Sequence, residues 1–138
     1  MSKSDELIRD YLLKIGAPKS MVNGGLSYFL KKWEKVVLKL EDPGSYIIID
    51  EYLEWLDSRG ILEEIRAFLE GDRRTEADSI ISNLDRRFMN ATVFSADCLW
   101  GKQNEKEYGY NPRSTWWYYR EPKLEVHGRG TAREKGDA

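Results

Sequence analysis

Histidine occurs once, as His127, and cysteine once, as Cys98. A single cysteine excludes an intrachain disulfide and any cysteine-rich zinc centre. A single histidine beside a C-terminal tail leaves a Ser-His or Cys-His catalytic pair without a well-placed base. Cys98 is flanked by Asp97, Leu99 and Trp100 with nothing basic next to it, so a buried, unreactive thiol is expected. There is no apolar run long enough to cross a bilayer. The opening MSKSDELIRD carries acidic residues where a secretory signal has its apolar core, and together these features point to a cytoplasmic protein. Positive charge is not in excess either. Lys and Arg number 22 against 24 Asp and Glu, a net charge of -2, which argues against a generally basic nucleic-acid binder while leaving room for a local basic patch. No phosphate-binding loop is present. Gly24-Gly25 lacks the lysine and hydroxyl residue that would follow it, and Gly128-Arg129-Gly130 is not framed by a strand and a helix.

What the chain does have is a set of amphipathic segments. Its 138 residues, 41% hydrophobic and 33% charged, suit one globular domain able to bury a core without staples. The organising stretch runs from Val22 to Leu40. Val22, Leu26, Phe29, Leu30, Trp33, Val36, Val37 and Leu40 follow three-four spacing and form one apolar stripe, with Lys31, Lys32, Glu34, Lys35 and Lys39 mostly off it. Gly24-Gly25 weakens the start of this helix, so it either begins near Leu26 or uses the glycines for a close approach.

Similar spacing predicts helices over Asp5–Ile15, closed by Gly16, over Tyr46–Leu56 after the Asp42-Pro43-Gly44 stop, over Ile61–Glu70 after a break at Gly60, and over Glu76–Ala91. Ser45 is placed to cap the third, and Thr75 with Asp78 resembles a capping box for the last. The run Tyr46-Ile47-Ile48-Ile49 also has strand character. Gly71-Asp72-Arg73-Arg74 is expected to be a solvated loop. The expected fold is therefore mainly α: a bundle of about five helices over residues 1–92, an extended aromatic arm over 93–127 packed on it, and an unstructured tail over 128–138.

The arm carries the main functional signal. Periodicity ends after Thr92, Gly101–Pro112 has loop composition, and Arg113-Ser-Thr-Trp116-Trp117-Tyr118-Tyr119-Arg120 follows as a strand-like segment, with a possible hairpin to Lys123–His127. On a strand, Trp116 and Tyr118 would cover the bundle, leaving Trp117 and Tyr119 partly exposed. Trp, Tyr and Arg dominate binding hot spots, so Arg113, Trp117, Tyr119 and Arg120 are the candidate partner-binding residues. The leading expectation is a non-catalytic protein-interaction or inhibitor module, like immunity or antitoxin proteins in type only. It needs no cofactor and no metal.

Two alternatives follow from other constellations. A nucleic-acid accessory would use the arm with Arg73, Arg74, Arg86 and Arg87, although Glu105, Glu107 and Glu121 offset Lys102, Lys106 and Lys123. A carboxylate metal site would use Asp50, Glu51 and Glu54, within one helical turn, but the sequence has no Glu-x-x-His partner motif, which favours a solvated face. Finally, Leu-Asp-x-Arg occurs twice, at Leu56–Arg59 and Leu84–Arg87. Within one helix its aspartate and arginine do not meet. The expectation is that they cross-pair between helices, Asp57 with Arg86 or Arg87 and Asp85 with Arg59, and set the helix register, with a ligand-contacting role as the alternative.

Overall fold

The computed structural model describes residues 2–128. Its element order is α1 (Lys3–Lys14), α2 (Lys19–Glu41), β1 (Ile47–Ile48), α3 (Ile49–Arg66), α4 (Gly71–Asn90), β2 (Thr92–Phe94), α5 (Lys102–Tyr108), a 3-10 turn (Trp116–Tyr119), β3 (Arg120–Pro122) and β4 (Val126–His127). The fold is mainly helical, as the periodicity implies. The tail expected over 128–138 lies, apart from Gly128, outside the described residues.

Helix α2 is the centre of the bundle and packs against α1, α3 and α4. Val22, Phe29, Trp33, Val36, Val37 and Leu40 of its stripe are buried, each large side chain contributing about 2 kcal/mol on removal from water. Gly25 sits inside this helix at φ 55 and ψ -135, a backbone conformation essentially confined to glycine. The helix therefore kinks there, and its first turns lean on Ile8 of α1. At the front of α1 the Ser2 side chain accepts from the Asp5 amide, and Gly16 closes the helix at φ 77.

Four expected boundaries are corrected by tertiary contacts. The first lies at Ile47-Ile48, which form a strand rather than the start of a helix, because Val126-His127 supplies a parallel partner with Ile47 opposite Val126. Tyr46 stacks on His127 at 4.1 Å, and Ser45 is used in the preceding turn, its amide donating to the Asp42 carbonyl. The second is at Gly60, which does not break α3. Helix α3 runs through it to Arg66, and the absent side chain leaves room for Trp117 and Tyr118 to lie against the helix. Third, residues 71–74 form the first turn of α4 rather than a loop, and the Thr75 hydroxyl donates back to the Gly71 carbonyl instead of capping. Fourth, the 101–112 segment contains α5, a polar helix with no buried residue, invisible to a search for apolar stripes.

The hairpin is also replaced. β3 pairs antiparallel with β2, Phe94 opposite Arg120, while β4 crosses to β1. Both pairings tie the end of the described chain to the bundle.

The two glycines give a direct test. Gly25→Ala should lower stability by about 1–3 kcal/mol, the usual cost of a strained backbone. Gly60→Ala should raise it by up to about 1 kcal/mol through helix propensity, since the new methyl meets the Tyr118 hydroxyl at an ordinary 3.6 Å. Urea denaturation of both variants, with Gly60→Leu as the overpacked comparison that should lose stability, checks the assignment.

Candidate functional site

The segment read as a strand is a 3-10 turn, and this reverses the expected exposure of its rings. On a strand alternate residues share a face, whereas a 3-10 turn has three residues per turn and sends successive side chains in different directions. Four consecutive rings are then accommodated only if structure surrounds them. Trp117, Tyr118 and Tyr119 are 2%, 4% and 1% exposed. Trp117 and Tyr119 are interior residues, so the expectation that they face a partner is corrected.

Each ring has its own neighbours. The Tyr118 hydroxyl donates to Asp57 at 2.6 Å, a carboxylate that also accepts from Trp100 Nε1 at 3.0 Å. Tyr110 stacks on Tyr118 at 4.2 Å, and Tyr108 on Tyr110 at 5.7 Å. The Tyr119 hydroxyl donates to Glu105 of α5. Trp117 lies against Gly60, and its Nε1 has no hydrogen-bond partner among the described residues.

Arg120 is likewise structural. Its guanidinium donates to the Thr92 hydroxyl and to the carbonyls of Met89 and Thr92, each at 3.0 Å. It thereby bridges the last turn of α4, at Met89, and the first residue of β2, at Thr92, and a helix C-terminus is a favourable place for a cation. Arg113 alone of the four candidates is a surface group. Asn111 Oδ1 accepts from the amides of Arg113 and Ser114 at 3.0 and 2.9 Å. This fixes the turn, and the guanidinium has no ion-pair partner among the described residues.

Beneath this turn is the pair anticipated from the repeated Leu-Asp-x-Arg pattern. Arg59, 3% exposed, donates from Nε to Asp85 Oδ1 at 3.0 Å and from Nη2 to Oδ2 at 2.8 Å. Asp85 Oδ1 also accepts from Trp33 Nε1 at 2.9 Å. The guanidinium lies 4.7, 5.8 and 6.0 Å from the rings of Trp117, Trp116 and Trp33. The reciprocal pairing is absent, because Asp57 is engaged by Trp100 and Tyr118 and Arg87 by Glu41. From Arg59 the ion pairs continue along the α3–α4 seam through Glu63, Arg66, Asp78 and Arg74. Arg66 holds the Asp78 carboxyl below its ordinary range.

Above the seam lies an open cleft of about 620 Å³ between α3, α4 and the 113–117 turn. Its floor is the Arg59–Asp85 pair with buried Ile81, and its rim carries Arg86, Arg113, Trp116 and Met89. Arg86 donates to Asn83 and has no ion pair among the described residues. The floor is charge-balanced. The rim is not.

No family model, curated protein or solved structure matches the chain. Its chemistry is read from the side chains alone. Burial pushes the Cys98 thiol up from its usual value, which keeps it protonated. Among the described residues no three His, Cys, Asp or Glu side chains are grouped to hold a metal, and Asp50, Glu51 and Glu54 lie exposed on the early turns of α3. No helix among them is long and apolar enough to cross a membrane. Of the arginines assigned to a nucleic-acid patch, Arg73, Arg74 and Arg87 are paired with Asp5, Asp78 and Glu41. Arg86 is the exception. The sequence offered Arg86 as part of a nucleic-acid patch or as a partner for Asp57, and its place beside Arg113 and Trp116 on the rim is visible only in the fold.

Removing one partner of a buried ion pair leaves the other uncompensated, so Asp85→Ala should cost about 3–5 kcal/mol. The double variant Arg59→Met/Asp85→Leu should lose clearly less, as chemical denaturation of the three proteins would show. Burial raises the pKa of Tyr52, Tyr118 and Tyr119, with Asp57 adding to the effect at Tyr118 and Glu105 at Tyr119. A raised folded value means that the unfolded chain loses its protons first. Their stabilisation is complete below the ordinary value of 10.0 and falls as pH rises past it. Tyrosinate absorbance in an alkaline titration should therefore show these three ionising only with loss of the helical circular dichroism signal.

Proposed function

We propose that the protein acts by binding another protein, as a non-catalytic interaction or inhibitor module, and that the α3–α4 cleft is its contact face. The observation that carries this reading is the rim: Arg86 and Arg113, without ion-pair partners among the described residues, stand beside the half-buried Trp116 and Met89, which is 41% exposed. Arginine and tryptophan next to an apolar contact are what binding hot spots are made of. The supports beneath them are rigid. Asn111 holds the turn that carries Arg113, and the Arg59 cage fixes Trp116, so little side-chain ordering remains to be done on association. The chemistry of these side chains favours binding over catalysis, since burial keeps the Cys98 thiol protonated and the His127 ring is stacked on Tyr46.

Affinity capture from the native host tests this. The intact protein should retain a protein partner identifiable by mass spectrometry. The charge reversal Arg86→Glu/Arg113→Glu should lose it, while Lys35→Glu, at an exposed position of α2 outside the cleft, should keep it. An identical capture by all three proteins, or one abolished by nuclease, would remove the cleft from consideration.

A further inference from the structure

The distribution of charge in the cleft defines the partner more closely. A groove following α4 from Asp78 to Met89 is about 16 Å long at 1.5 Å per residue, enough for about five residues of extended peptide. Over most of that length the ion pairs are closed among themselves, with Glu63, Asp78 and Asp85 each held by an arginine. At one end Arg86 and Met89, three positions apart and so on one face of α4, meet Arg113 and Trp116 from the turn. Positive charge without a counter-ion and apolar surface without a cover thus occur side by side. They occur at that end only.

A polyphosphate backbone, negative at every step, would meet unneutralised positive charge at that end alone, the rest of the groove being closed into ion pairs. A chain with one local carboxylate needs it nowhere else. We infer that the cleft takes an extended segment of a partner protein in which an aspartate or glutamate stands two positions from an apolar residue, so that both lie on one face. The carboxylate is received by Arg86 and Arg113, and the apolar side chain by Trp116 and Met89. Arginine suits this role because its planar donor array matches a carboxylate. The inference rests on the proposed function and assigns its chemistry.

The test uses the full chain and short synthetic peptides without tryptophan, followed by the protein's own tryptophan fluorescence. A peptide repeating Asp-Ser-Leu-Ser, which puts aspartate and leucine on one face when extended, should bind at least about tenfold more tightly than one repeating Asn-Ser-Leu-Ser, the difference expected of a charge-assisted contact. Arg113→Ala and Arg86→Ala, both at exposed positions, should each remove most of that preference without changing the melting curve, and Lys35→Ala should leave it intact. Equal affinity for the two peptides, or displacement of the acidic peptide by single-stranded oligothymidine at lower concentration, would overturn the inference. The two readings fail separately. If capture in the host depends on Arg86 and Arg113 but the acidic peptide shows no preference, the assigned chemistry is wrong and the contact face stands. If capture is indifferent to both arginines, the face itself is lost.

Discussion

A guanidinium withdrawn from water must be met by charge and by donor-matched geometry, and at Arg59 that requirement fixes the relative placement of four parts of the chain. Arg59 belongs to α3, its carboxylate partner Asp85 to α4, the indole that shares that carboxylate to Trp33 of α2, and the rings flanking it to the 3-10 turn. Apolar packing alone tolerates small slips between helices, because oil meets oil at many registers. A bidentate ion pair does not, since a slip of one residue would separate partners whose desolvation has already been incurred. Elsewhere the core is greasy and permissive. Here it is specific.

The arm extends that logic outward. Because its rings radiate from a 3-10 turn rather than alternating along a strand, they require walls on several sides, and the molecule supplies them from α3, α4 and α5. Polar tips are matched one by one, Tyr118 to Asp57, Tyr119 to Glu105 and Tyr52 to the Arg120 carbonyl. With Trp117, Tyr118 and Tyr119 committed to the interior, the groups beside the α3–α4 cleft that are free to meet another molecule are those of the turn that carries Arg113 and the exposed face of α4.

Much of the architecture was legible where apolar spacing was regular. The Val22–Leu40 stripe became the buried face of α2, and the doubled Leu-Asp-x-Arg pattern contained the Arg59–Asp85 contact. Three kinds of feature were not legible. Strand β1 depends on a partner far along the chain, and propensity at Ile47-Ile48 was balanced until Val126 arrived. Helix α5 buries none of its residues and so leaves no periodic trace. The burial of Trp117 and Tyr119 depends on a turn type that a run of aromatic residues does not advertise. Of the candidate contact residues only Arg113 kept its expected place, because the composition that makes a hot spot is the same composition that fills a core. Exposure distinguishes them, and exposure is a property of the fold.

The pairing of β1 with β4 bears on how the protein is made. Ile48 precedes α3 and gives it no side-chain cap, and the strand that orders this entry is among the last described residues to be synthesised. Tyr52 likewise waits for Arg120, 68 residues further on. A growing chain can close α1 on α2, but the start of α3 has no fixed entry until Val126-His127 has been made. Completion of this fold therefore waits for residues 120–127, and loss of that segment acts on the middle of the molecule.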